Sequence, residues 1–230
     1  MAIQTKQIRG VILDVDGTLV DSNDVQAHAW LDAMAENGYQ VPFEKVRPLI
    51  GMGGDKVLPE VLGIDKDSDI GKKISQQRKE FVKTRYLSSI KPFPGSRDLL
   101  QHMHDKGLKL VIATSAEPDE LEKTLSIIGP DVKDMITTET TSKDAPKSKP
   151  DTDIMQAALQ RSGCARDEVV MLGDTPYDLE AAAKASINSI ALRCGGWNDN
   201  ELSQAIAIYN DPADLLAHYD TSPLAIGIPA

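Results

Sequence analysis

The chain has 230 residues, 41% hydrophobic and 26% charged, with a formal net charge of −10. That is enough for one large domain or a domain with a sizeable insertion. No stretch approaches the roughly 18 consecutive apolar residues of a membrane span, and residues 1–10 lack the apolar core of a signal peptide. Cys164 and Cys194 stand outside any CxxC or Cys/His cluster, so zinc is not indicated and a reducing, cytoplasmic setting is expected. The acidic balance argues against nucleic-acid and anionic-membrane partners, but not against small phosphorylated metabolites.

In chain order, the apolar run 11–15 reads as a buried strand. Residues 22–90 then read as almost wholly helical, with segments at 25–36, 43–49, 56–62 and 67–86. Pro92, Pro94 and Gly95 mark a return to mixed structure. Further strands are predicted at 108–113, 134–138, 169–172, 187–192 and 205–209, alternating with helices at 97–106, 118–127, 152–162, 177–185 and 199–204. The segment after Asp220 is expected to pack loosely or end as coil. Alternation of this kind gives an α/β fold, a doubly wound, Rossmann-like parallel sheet. An all-helical cap domain (22–90) interrupts a catalytic core domain (1–21 and 91–230).

The first strand ends in Asp14-Val15-Asp16-Gly17-Thr18. Residues two apart in extended chain face the same way, so both carboxylates should converge at the strand's carboxyl end, where open α/β sheets place ligands. Like charges so close need a cation or a shared proton, and Mg²⁺ is the economical explanation. The plain alternative is a turn, since Asp and Gly favour turns. In the functional reading Asp14 attacks phosphorus, Asp16 protonates the leaving oxygen, and Gly17 and Thr18 present backbone N–H groups to the phosphoryl oxygens.

Three later signals repeat the placement. Thr114-Ser115 closes the second strand; the pair would serve either as a helix N-cap or to hold non-bridging phosphoryl oxygens. Lys147, in Pro146-Lys147-Ser148-Lys149-Pro150-Asp151, reads either as part of a solvated loop or as the cation that balances Asp14, with Lys149 competing for that place. Gly173-Asp174-Thr175-Pro176-Tyr177-Asp178 follows another buried strand and starts a helix. Asp174 occupies the place on its strand that Asp14 occupies, and is assigned as a metal ligand suited to Mg²⁺. Asp178 stands between helix capping and support of the site.

In this order the motifs resemble those of the haloacid dehalogenase-like hydrolase superfamily, over nearly the whole chain. Asp14 to Ser22 matches the first motif without departure, Thr114 the second, and Asp174 with Asp178 the fourth. In the third, Ser148 replaces the usual first proline, and the register makes Lys147 the motif lysine. The helical insert resembles the cap of the phosphoglycolate phosphatase-like branch. The resemblance implies that Mg²⁺ is bound by the side chains of Asp14 and Asp174 and the backbone carbonyl of Asp16. Asp16 favours phosphate esters, because dehalogenating and phosphonate-cleaving relatives lack an acid there. Mutase relatives typically carry a histidine where this chain has Gln26, with His28 two residues on, so a phosphosugar mutase is a secondary reading.

The cap loop from Arg47 through Gly51, Gly53, Gly54 and Lys56 reads as a turn or as a substrate-facing loop. In the second reading Arg47 or Lys56 pairs with an anionic or hydroxylated leaving group while the glycines permit close approach. Trp30 and Trp197 read as packing residues, His102 and His104 as surface. The leading expectation is a Mg²⁺-dependent phosphatase of a small phosphomonoester, monomeric or homodimeric. A receiver-like phosphoacceptor switch and a catalytically silent relative are the competitors. Receivers are about half as long and lack a helical insert.

Overall fold

The computed structural model describes residues 5–229. Six parallel strands form the central sheet: β1 (Gly10–Leu13), β2 (Lys109–Ala113), β3 (Thr138–Thr140), β4 (Val169–Gly173), β5 (Asn188–Leu192) and β6 (Ala207–Tyr209). Their spatial order is β3-β2-β1-β4-β5-β6. Strand β1 is buried on both faces, as expected for a central parallel strand made of consecutive apolar residues. Val11 and Leu13 pack on one side with Leu99, Leu100 and Met103. Ile12 packs on the other with Val111, Met171, Met155 and Ala181. Leu13 lies opposite Ile112 on one neighbour and Leu172 on the other, so the chain order reverses at β1. A crevice opens at the carboxyl ends of strands at such a point.

The helical block leaves the core just after β1. Val20–Asp21 pairs antiparallel with Lys91–Pro92, so the outgoing and returning strands lie side by side. Between them lie α1 (Asn23–Glu36), the short helix Phe43–Val46 with the 3₁₀ turn Arg47–Leu49, α2 (Gly54–Leu62) and α3 (Asp69–Phe81). They enclose their own apolar cluster around Trp30, Met34, Leu58, Ile74 and Phe81. Core helices α4 (Ser96–Asp105), α5 (Pro118–Ile128), α6 (Asp153–Ser162), α7 (Pro176–Lys184) and α8 (Pro212–Ala217) flank the sheet.

Several predicted elements differ. The strand expected at 134–138 begins only at Thr138, because Val132–Met135 forms a helical turn whose Val132 and Met135 are buried. Short apolar runs carry no period long enough to separate the two states. The helix expected at 199–204 is a succession of turns. There the Asn198 side chain accepts from the Asn200 and Glu201 amides at 3.0 and 3.3 Å, in competition with helical bonding. The segment after Asp220 is not loose coil. Pro223–Ile226 is a helical turn, Ile228–Pro229 pairs with Thr5–Lys6, and Leu224 and Ile228 are buried in the main core. His102 is half-buried, its ring 4.4 Å from that of Tyr219, while His104 is exposed.

Candidate active site

Four loops meet above the carboxyl ends of β1, β2 and β4. Asp14 follows β1 directly, its amide donating to Leu172 O on β4 at 2.9 Å. Asp174 follows β4 and is fully buried, and Thr114 follows β2 and is also buried. The loop before α6 delivers a lysine. That lysine is Lys149, whose Nζ lies 2.5 Å from Asp14 Oδ1 and 2.6 Å from Asp178 Oδ1, with 2% of its side chain exposed. Lys147, expected in this place from motif register, is exposed. The register fails because the segment turns Ser148 toward the helical block, where its Oγ accepts from Gly53 N at 2.9 Å, and points the residue after it inward.

The carboxylates are fixed by donors on several segments. Thr18 Oγ1 donates to Asp174 Oδ1 at 2.7 Å and approaches Asp14 Oδ2 at 3.3 Å. Asn23 Nδ2 donates to Asp174 Oδ2 at 2.9 Å. Asp178 both caps α7 and supports the site. Its Oδ2 accepts from Thr175 N and Oγ1 at 3.1 and 2.7 Å, and its Oδ1 holds Lys149. Gly17, at φ +79°, accepts a conformation other residues rarely adopt, and a Cβ there would lie 2.3 Å from Asp174 Oδ2.

The convergence of Asp14 and Asp16 needs refinement. The strand ends at Leu13, so the two-residue alternation does not extend to Asp16, and the two side chains have different partners. Asp16 Oδ1 accepts from Ser22 Oγ at 2.5 Å and Gln26 Nε2 at 3.0 Å. Gln26 Oε1 in turn accepts from the Arg78 guanidinium. The expected role of the Gly17 and Thr18 amides is also corrected, since they donate to Val20 O and Val15 O at 2.8 and 3.3 Å, inside their own turn. Among the described residues the amides of Val15 and Asp16 have no protein acceptor, and no amide donates to the Asp16 carbonyl.

Burial dominates the electrostatics. It pushes Asp14 up to about 7, opposed by Lys149 and reinforced by Asp178. Asp174 is raised well above the ordinary carboxylate range, first by burial, then by Asp14 and Asp178. For Lys149 burial acts downward, but the two carboxylates outweigh it and hold the ammonium charged. Asp14, Asp174 and Asp178 each offer an oxygen, all within 4.8 Å of one another. When ionised, three buried carboxylates outnumber the one lysine, and hard oxygen donors of this kind fit a divalent cation such as Mg²⁺.

The helical block is fastened to the rest of the chain beside this cluster. Lys56 Nζ pairs with Asp151 Oδ2 at 2.6 Å, Arg47 Nη2 donates to Gly195 O at 2.8 Å, and Tyr177 Oη donates to Pro48 O at 2.7 Å. Arg47 is also bound to Asp24 at 2.5 Å. Arg47 and Lys56 therefore fasten the helical block to the loops at 151 and 195, which replaces the expectation that they meet the leaving group. A cavity of about 390 Å³ lies between the helical block and the sheet's carboxyl edge, lined by Gly53, Gly54 and Trp30 on one side and by Thr114, Ser115 and Lys149 on the other. Its cationic side chains are Lys66, Lys72, Arg78, Lys79 and Lys149. Arg78 pairs with Glu120 and Lys79 with Glu117. Lys66 and Lys72 have no ion pair among the described residues. The phase of α3 could have revealed Lys72 and Lys79, since Ile70, Ile74 and Phe81 turn inward and leave 72, 76 and 79 on another face, whereas Lys66 lies before the helix.

Known proteins share this fold. Residues 11–192 match the family model described as haloacid dehalogenase-like hydrolase. The crystal structure of a hydrolase from Pseudomonas syringae superposes with a TM-score of 0.85 at 30% identity, covering 95% of this chain and 99% of that one. Phosphoglycolate phosphatase of Shigella boydii serotype 4 is 29% identical over 252 residues, covering 97% of this chain and 94% of its own length. The chloroplastic protein SUPPRESSOR OF QUENCHING 1 of Arabidopsis thaliana is 29% identical over 201 residues, 81% of this chain but only 18% of that protein. The chain belongs to the haloacid dehalogenase-like hydrolase family. No described helix is long and apolar enough to cross a membrane.

Proposed function

We propose that this enzyme is a Mg²⁺-dependent phosphatase acting on a small phosphomonoester through an aspartyl-phosphate, with the helical segment as a cap domain over the catalytic core. The observation that carries the reading is Asp14, a buried carboxylate at a sheet switch point, gripped by a buried lysine and faced by two further carboxylates. Such a group has no structural task that an apolar residue would not perform at lower cost.

In this reading an Asp14 oxygen attacks phosphorus and the ester oxygen departs with a proton from Asp16. Water, giving its proton back to Asp16, then hydrolyses the acyl phosphate. Ser22 and Gln26 hold Asp16 by Oδ1, leaving Oδ2 for the leaving oxygen. Thr114, Ser115 and the Val15 and Asp16 amides would receive non-bridging oxygens, and Lys149 would offset charge on Asp14 and the phosphoryl group. Asp14, Asp174 and the Asp16 carbonyl would hold Mg²⁺, with Asp178 supporting them through Lys149. The cation would supply charge neutralisation at the phosphoryl oxygens.

The cavity favours a leaving group with its own anionic group, a phosphorylated hydroxy acid or sugar phosphate, met by Lys66 and Lys72. The phosphatase reading is preferred over a mutase because Gln26, in the place of the mutase histidine, has an amide that cannot relay a proton. Phosphate release from a panel of phosphorylated metabolites, with and without Mg²⁺, tests the assignment. Activity should require Mg²⁺ and fall at least ~10⁴-fold in Asp14→Asn. Turnover surviving that substitution would refute it. A receiver-like switch would instead retain label on the protein with little turnover.

A further inference from the structure

Asp174 is held from outside its own loop by two donors, Thr18 on Oδ1 and Asn23 on Oδ2, at 2.7 and 2.9 Å. Asn23 is the first residue of α1 and is 2% exposed. Its Nδ2 also donates to Gly195 O at 3.2 Å, so both of its protons are used. Gly195 O, a backbone carbonyl, can only accept. A flipped amide would set Oδ1 against a carboxylate and a carbonyl, and the orientation is thereby fixed.

The same orientation leaves Asn23 Oδ1 buried without a partner. A leucine would fill that space with no orphaned oxygen. The amide is therefore accounted for by what Nδ2 does to Asp174. The anchor itself is firm, because Gly195 O also receives Arg47 Nη2 from the cap loop at 2.8 Å. The backbone there runs so close to Asp174 that a Cβ on Gly195 would lie 1.8 Å from Oδ2.

We propose that Asn23 is a positioning residue for the divalent-cation site. It sets the plane of the Asp174 carboxylate and, because it opens the first cap helix, ties cation affinity to the seating of the cap. The inference rests on the reading of Asp174 as a cation ligand. It goes beyond that reading in assigning a role to a residue outside the four motifs.

The test is calorimetric titration of the full chain with Mg²⁺ alone, for wild type, Asn23→Ala and the near-isosteric Asn23→Leu, beside thermal unfolding in EDTA. Loss of a group orienting a ligand should raise the Mg²⁺ Kd about tenfold or more in both variants. Asn23→Leu should keep its metal-free Tm within a few degrees of wild type. A wild-type Kd in folded Asn23→Leu overturns the proposal, as does a fall in metal-free Tm with Kd unchanged, which marks a structural role only. Failure of wild type to bind Mg²⁺ overturns the cation reading, and the inference with it.

Discussion

Lys149 gives the sharpest test of the site, because motif register and tertiary geometry choose different lysines. In Lys149→Met the side chain keeps much of its volume but loses the ammonium held 2.5 and 2.6 Å from Asp14 and Asp178. Removing one partner of a buried ion pair leaves uncompensated charge and costs about 3–5 kcal/mol. At roughly 2–4 °C per kcal/mol for a chain of this size, Tm should fall by roughly 6–20 °C in the metal-free protein near pH 8. The deficit should shrink toward pH 5. Without Lys149, Asp14 titrates still higher than its present value of about 7, so protonation relieves the buried charge. Loss of a preorganised cation at the reacting oxygens should also lower kcat by about 10²–10³-fold. Lys147→Met alters an exposed side chain, and should change stability by less than about 0.5 kcal/mol and kcat by less than about twofold. Urea unfolding at the two pH values, together with steady-state phosphate release, decides the matter. Wild-type behaviour of Lys149→Met, or a severe defect in Lys147→Met, would refute the assignment.

Metal-free Asp14 holds its proton up to about 7 against an ordinary 3.8, so between these values the folded chain binds more protons than the unfolded one. Its contribution to metal-free stability therefore declines as pH rises through that window, and Mg²⁺ must displace the proton. Apparent Mg²⁺ affinity should fall at least about tenfold per pH unit below 7, the slope for Asp14's proton alone, and more steeply where Asp174 releases its own; calorimetry in buffers of different ionisation enthalpy should count the protons, and a flat affinity would contradict the reasoning. Lys72→Met should raise KM about tenfold for an ester with an anionic leaving group, the weight of one charge-assisted contact, and leave p-nitrophenyl phosphate nearly unchanged. Equal effects on both would dismiss the cap-side subsite. Leu224→Ala should destabilise the chain by about 2–4 kcal/mol in urea with kcat retained, because the C-terminal turn is part of the core; a loss below 1 kcal/mol would mean the turn adds little.

Much of the architecture was legible in local pattern. Val11, Ile12 and Leu13, and likewise Val169–Leu172, are apolar without alternation, which only a strand covered on both faces requires. The polar residues immediately after such strands then fall at the sheet's carboxyl edge, and Asp14, Thr114 and Asp174 do lie there. The long helical block was equally readable, because Trp30, Met34, Ile74 and Phe81 repeat at helical spacing. The errors came where chain direction changes over a few residues. Lys147 and Lys149 are alike in composition, and only the turn that carries Ser148 to Gly53 decides which faces Asp14.

The cap loop shows the same limit. Arg47, Lys56, Lys66 and Lys72 are all cations near glycines, acids or helix starts. The first two are taken up by Gly195 O, Asp24 and Asp151, residues far away in sequence. The last two reach the cavity without an ion pair among the described residues. The amino-acid order thus determined the strands, the helices and which carboxylates stand at strand ends, since burial and backbone period act between near neighbours. Which cation meets which carboxylate, and which amides stay free for a ligand, was decided only by tertiary structure, because those energies depend on distance through space.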